Sequence, residues 1–195
     1  MKSVGKCYSV LFLVMAAIQF RADAQSTVPA MAGLSSQDRM TVADLEKRVR
    51  EYTELRERLE LELPKLSKEA TPEQIESHKT ALQKSVLNAR AGSKHEDVFT
   101  PAAAKIIRTI IKSGFKGDDR ADLRKTVLEA ENKGIPLKIN IPYPEDKEFV
   151  EMSPTLLQAL PKLPKQLRYR FAGRNMLLVD RENGLIVDYM TNAIP

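Results

Sequence analysis

The chain has 195 residues, of which 43% are hydrophobic and 29% charged, with a formal net charge of +5. That balance excludes an intrinsically disordered chain and leaves room for one ordinary domain with extensions. Aromatic residues are 6% and tryptophan is absent, which fits a small helical core better than a large β-sandwich.

Met1 to Ala24 reads as a secretory signal peptide. Lys2 and Lys6 supply its positive start, Val10 to Ile18 its apolar stretch, and Ala22-Asp23-Ala24 an A-x-A cleavage site. An uncleaved anchor fits less well, because a span needs about 20 apolar residues and Gln19 and Arg21 interrupt this run. No stable membrane span is expected after cleavage. Cys7 precedes the apolar stretch, so it is not placed as a lipoprotein acylation site. Cleavage removes three of the 31 basic residues and one of the 26 acidic ones, which lowers the net charge from +5 to +3. What remains is of mixed sign, unlike the clustered basic face of a nucleic-acid-binding protein. The sole cysteine also leaves, so the mature chain has no disulfide, thiol nucleophile or cysteine metal ligand. The lack of disulfides and of an N-x-[ST] sequon favours a bacterial envelope, periplasmic or secreted, over an animal extracellular space.

Residues 25–40 are small and polar with Pro and Gly, the composition of a flexible mature N-terminus. Over residues 41–66, Val42, Leu45, Val49, Tyr52, Leu55 and Leu59 recur at spacings of three and four between charges of both signs. This predicts an amphipathic helix, supported by Glu46 before Arg50 and Glu54 before Arg58, and ended or kinked by Pro64. Its apolar stripe has three uses: packing on its own domain, a coiled-coil seam for a homo-oligomer, or contact with the groove of an envelope partner.

Residues 71–195 read as a small α+β domain, with helices filling 71–134. Thr71-Pro72-Glu73-Gln74 is a capping box with proline at the first helical position. Ile75, Leu82, Val86 and Ala89 line one predicted face, and Gly92 supplies the stop. Thr100-Pro101 repeats the start signal, and Ile106, Ile107, Ile110 and Ile111 make an apolar face that ends at Gly114. Asp119 opens a fourth helix with Leu123, Val127 and Leu128 inward and Gly134 as its stop, pairing antiparallel with the third. Leu137, Ile139 and Ile141 alternate with polar residues, predicting a short strand over 137–141 kept short by Pro142 and Pro144. Ser153-Pro154 opens one or two helical turns through Leu160, and Pro161-Lys162-Leu163-Pro164 gives a rigid lead-in to the C-terminal strands. As a PxxP segment it also has the form of an SH3-type ligand, but such readers are not expected outside the cytosol.

Residues 167–190 carry the clearest pattern in the chain. Leu167, Tyr169 and Phe171 alternate with Arg168 and Arg170, Gly173-Arg174-Asn175 turns, and Met176 to Val179 is apolar on both faces. Asp180 to Gly184 turns again, and Leu185, Val187 and Tyr189 alternate with Ile186 and Asp188. This is a three-stranded antiparallel meander, and its apolar face needs a cover.

Chemistry-bearing motifs are scarce. No P-loop, GxSxG, HExxH or GxGxxG occurs. His78 lies on a helix without a carboxylate or histidine at i+4. His95, Glu96 and Asp97 offer three donors in a row, read as a surface loop with an opportunistic divalent-metal site as the alternative. Asp180 and Asp188 lie on neighbouring strands and could in principle form a catalytic dyad, against a turn role for Asp180. Arg168, Arg170 and Arg174 form a candidate basic face for an anion or acidic polymer, against ordinary edge protection.

The segment YRFAGRNMLLVDRENGLIVDYM, with prolines just before it, resembles the C-terminal meander of small bacterial periplasmic proteins such as the RcnB-like family. The shared pattern is Tyr-Arg, a Gly-containing turn, an LLVD-like strand, then N-G and an IVD-like strand, over roughly thirty residues. The resemblance implies a periplasmic, non-catalytic accessory role, in a family associated with nickel and cobalt homeostasis. It transfers no ligand set, since this chain has two histidines and no mature cysteine. The combined expectation is an exported, non-enzymatic α+β envelope protein without a cofactor, acting by partner binding or by self-association through the Val42–Leu59 helix. A metal- or anion-responsive accessory protein is the alternative, and a hydrolytic enzyme ranks below both.

Overall fold

The computed structural model describes residues 33–114, 135–144, 147 and 154–194. The expected export signal, residues 25–32 and the fourth helix expected over 119–134 lie outside the described residues. Within them are four helices and one three-stranded antiparallel sheet, an α+β arrangement. None of these helices is long and apolar enough to cross a membrane.

Helix α1 runs from Ser36 to Leu61. It includes Ser36–Met40, expected to be flexible, because Ser35 caps it: the Ser35 hydroxyl oxygen accepts from the Asp38 amide at 3.1 Å. It stops at Leu61, just ahead of Pro64, the residue expected to end or kink it. Val42, Leu45, Val49 and Tyr52 are buried in the chain's own core. Four of the six residues of the stripe are therefore used within the molecule, while Leu55 and Leu59 stay partly exposed.

Helix α2 (Pro72–Ala89) opens with the full capping box. The Gln74 amide donates to Thr71 Oγ1 at 3.3 Å and the Thr71 amide to Gln74 Oε1 at 2.9 Å. Leu82 and Val86 are buried, but Ile75 is 51% exposed and Ala89 is exposed, so the inward face is shorter than the spacing predicts. The first turns run clear of the core, with residues 71–77 all exposed. Helix α3 (Pro101–Gly114) buries Ile106, Ile107, Ile110 and Ile111, each contributing about 1.5–3 kcal/mol of transfer free energy. A short α4 (Pro154–Ala159) precedes the sheet. Helix α1 touches α2 and α3, and α3 touches α4.

The sheet follows the sequence pattern: β1 (Leu167–Ala172), β2 (Asn175–Asp180) and β3 (Ile186–Met190), in the order β1-β2-β3. Gly173 and Gly184 take φ of 55° and 71°, the left-handed region that both turns require. Leu167, Tyr169, Phe171, Met176 and Leu178 face the helices.

One departure matters for the site. A register shift between Leu178 and Val179 leaves Val187 as an extra residue, since Leu178 pairs with Asp188 while Val179 pairs with Ile186. Strict alternation would group Tyr189 with Val187. Instead the bulge turns Asp188 towards the helices and sends Tyr189 to the opposite face, beside Leu177 and Ile186.

That opposite face is covered by residues 135–144, where the strand expected over 137–141 does not form. Asn140 sits at φ 57° within a turn, which breaks the extended geometry, and Pro142 has no N–H to give to a ladder. The segment is fastened to the start of β3 by Asn140 N–H to Ile186 O, Ile186 N–H to Ile141 O and Tyr143 N–H to Gly184 O, at 2.8–2.9 Å. Ile135 and Tyr143 close over Leu177, Val179 and Ile186.

Candidate functional site

The two strand carboxylates are committed to separate structural networks. Asp180 is fully buried. Its Oδ2 accepts from the Tyr52 hydroxyl at 2.8 Å and Arg56 Nε at 3.2 Å. Its Oδ1 accepts from the amides of Glu182 and Asn183 at 3.0 and 3.2 Å, the Asx-turn arrangement expected of a turn aspartate. Asp188 is equally buried. It accepts from the Val98 and Phe99 amides at 2.8 Å each, from Tyr189 N–H at 2.9 Å and from Glu96 N–H at 3.2 Å. Asp188 thus takes amides alone, and Asp180 takes amides, a phenol and a guanidinium, which leaves neither as an available base.

Arg56 is the residue that the sequence conceals. It lies in a helix of alternating charges, where a solvated role is the ordinary reading, yet it is 3% exposed. Its guanidinium spans Asp180, Glu182 and Glu60, and these three carboxylates hold its pKa above the ordinary value despite opposing desolvation. A second buried arginine, Arg90, donates to Asn140 Oδ1 at 2.9 Å and the Val187 carbonyl at 2.8 Å. It also stands 5.1 Å from the Tyr52 ring centroid. Together these two arginines tie α1, α2 and the 135–144 segment to the last hairpin.

His95, Glu96 and Asp97 do not converge. The His95 ring stacks on Tyr189 with centroids 4.0 Å apart, and its Nε2 lies 3.0 Å from the Tyr189 carbonyl. Asp97 Oδ2 accepts from the Lys94 amide at 2.6 Å, and Glu96 takes a left-handed φ of 71°. The group that does converge among the described residues is Glu60, His78 and Glu182, whose ligand atoms all lie within 4.8 Å of one another. Sequence spacing could not reveal it, because α1, α2 and the β2–β3 turn each supply one residue.

The arginine trio is also regrouped. Arg174 turns away to hold the C-terminal segment: its Nε donates to the Ile194 carbonyl at 3.1 Å, and its own carbonyl accepts from Ala193 and Ile194. Arg168 and Arg170 instead join Arg181, Lys162 and Lys165 along an open groove of about 650 Å³. The proline lead-in forms one wall, fixed by the Tyr169 hydroxyl donating to the Pro161 carbonyl at 3.0 Å. Burial and, after it, the nearby Arg181 lower the Arg168 pKa, against Asp180 and Tyr143, which raise it.

Burial raises the pKa of both Tyr52 and Tyr169, and the Asp180 charge adds to the shift at Tyr52. An unfolded tyrosine ionises near pH 10. Above that pH the unfolded chain loses protons that the folded chain keeps, so stability is full below about pH 10 and falls as pH rises further. Ultraviolet titration should show these two phenols staying protonated until the fold collapses, with folding cooperativity and tyrosinate absorbance changing together. Smooth ionisation of all tyrosines in a still-folded protein would refute this.

The chain matches no protein-family model, and no curated protein or solved structure is significantly similar to it.

Proposed function

We propose that this is an exported, non-enzymatic envelope protein whose groove beside β1 binds an extended acidic segment of a partner protein. The observation that carries the reading is the set of five cationic side chains, Lys162, Lys165, Arg168, Arg170 and Arg181, along one open groove. An extended acidic peptide complements both the charge and the open, proline-bordered wall of the groove. Because α1 uses most of its apolar stripe internally, the reading moves from self-association to a heterologous partner. An envelope address agrees with the leader expected at Met1–Ala24 and with the sequence resemblance of residues 169–190 to the meander of RcnB-like proteins. The commitment of Asp180 and Asp188 to structural hydrogen bonds supports a binding role over hydrolysis.

Fluorescence anisotropy with a labelled oligoglutamate tests the proposal. Lys162→Glu with Lys165→Glu should weaken binding by about tenfold or more, on the order of 0.7 kcal/mol per reversed charge. Lys84→Glu with Lys105→Glu carries the same change in net charge on other exposed surfaces and should leave affinity near that of the unmodified protein. Equal losses from the two pairs, or no binding by the unmodified protein at low salt, would overturn it.

A further inference from the structure

We propose that Glu60, His78 and Glu182 form a binding site for one divalent first-row transition-metal ion. Imidazole with two carboxylates is a borderline-hard donor set suited to zinc, cobalt or nickel and less suited to calcium, which takes oxygen ligands.

The histidine provides the first support. His78 is nine-tenths buried, with a side-chain exposure of 10%, and its Nε2 stands 4.0 Å from Glu182 Oε1. That separation is too long for a hydrogen bond, and among the described residues no other polar atom bonds to the ring. One ring nitrogen of this largely buried imidazole lies within 4.8 Å of an oxygen of each carboxylate.

Charge provides the second. Glu60, Asp180 and Glu182 surround the single Arg56 guanidinium. Three carboxylates face that one guanidinium, and a dication would balance the two negative charges left over. Arg56 does not occupy the ligand positions: it engages Oε2 of Glu60 and Oε2 of Glu182, leaving Oε1 of each to turn towards the ion. It would orient both carboxylates as outer-shell donors do.

The distances are compatible with closure. Bonds of about 2.1 Å in a tetrahedral site put ligand atoms about 3.4 Å apart, against the present limit of 4.8 Å. Glu60 and Glu182 are 38% and 39% exposed at their side chains, so rotation about their terminal torsions can supply the shift. With three protein ligands, water completes the coordination from the solvent side. None of the three residues lines the basic groove, so this site stands independently of the acidic-partner reading.

Cobalt(II) titration followed by visible absorption, with zinc titration calorimetry, tests the site. The protein should bind one equivalent of either ion, with cobalt d–d bands that zinc abolishes. His78→Gln and Glu182→Gln should each weaken binding more than about tenfold, while circular dichroism shows the fold intact. His95→Gln, which changes the other histidine, should leave affinity and spectrum unchanged. Absence of one-equivalent binding, full retention in His78→Gln, or loss in His95→Gln would each overturn the assignment.

Discussion

Asp188→Ala should destabilise the fold by about 3–5 kcal/mol, among the largest effects of any single side chain outside the apolar core. The substitution removes the acceptor for four amides at once, including those of Val98 and Phe99 at 2.8 Å. Each orphaned buried donor costs about 1–3 kcal/mol. The total is held below the simple sum because Glu96 and Tyr189 lie nearer solvent and can recover water. The damage should be local before it is global, since Val98 and Phe99 are core residues placed by these bonds. Urea unfolding gives the stability change, and amide exchange should show protection lost first across residues 96–99. Asp188→Asn should fall between the two, because its amide nitrogen faces N–H donors and only one oxygen still accepts. A change below about 1 kcal/mol for Asp188→Ala would show that the loop is held by apolar contacts alone.

Breaking the Arg56 network from either side should cost a similar amount, about 3–5 kcal/mol for Asp180→Ala or Arg56→Met. Removing Asp180 deprives the Tyr52 hydroxyl of its acceptor and Arg56 of its deepest counter-charge. Removing Arg56 leaves three carboxylates close together without their shared cation. The informative measurement is the double-mutant cycle. Once one partner is gone, most of the favourable interaction has already been lost, so the double variant should be less unstable than additivity predicts, by roughly 0.5–3 kcal/mol. Strict additivity would mean that Arg56 is held by Glu60 and Glu182 and that its bond to Asp180 contributes little.

The meander was legible because its information is local. Alternation fixes the facing of β1, the run Met176–Val179 marks the central strand, and Gly173 and Gly184 occupy the positions where φ is positive. The start of α2 was legible for the same reason, Thr71 and Gln74 being three residues apart. The start of α1 was encoded too, in Ser35 and Asp38, but the apolar stripe begins only at Val42 and draws the boundary inward. The Val187 bulge carries no such mark: it follows from how β2 and β3 meet the helices. Of the candidate site, the sequence shows Arg168 and Arg170 together but cannot show Arg181 replacing Arg174 beside them. Nor can it show Glu60, His78 and Glu182 converging, since that depends on three elements docking at once.

The tie between α1 and the last turn also has a consequence for when this protein can fold. Tyr52 and Asp180 are 128 positions apart, and Arg56 and Asp180 are 124 apart. A nascent chain that ends before the β2–β3 hairpin contains the amphipathic helix with Arg56 paired only to Glu60 of its own helix and its apolar stripe uncovered by the sheet. Contacts of such long separation are formed late and slowly. Folding is therefore closed by the final hairpin, and a chain truncated ahead of Asp180 should remain unfolded, protease-sensitive and available to a holding chaperone until that segment is present.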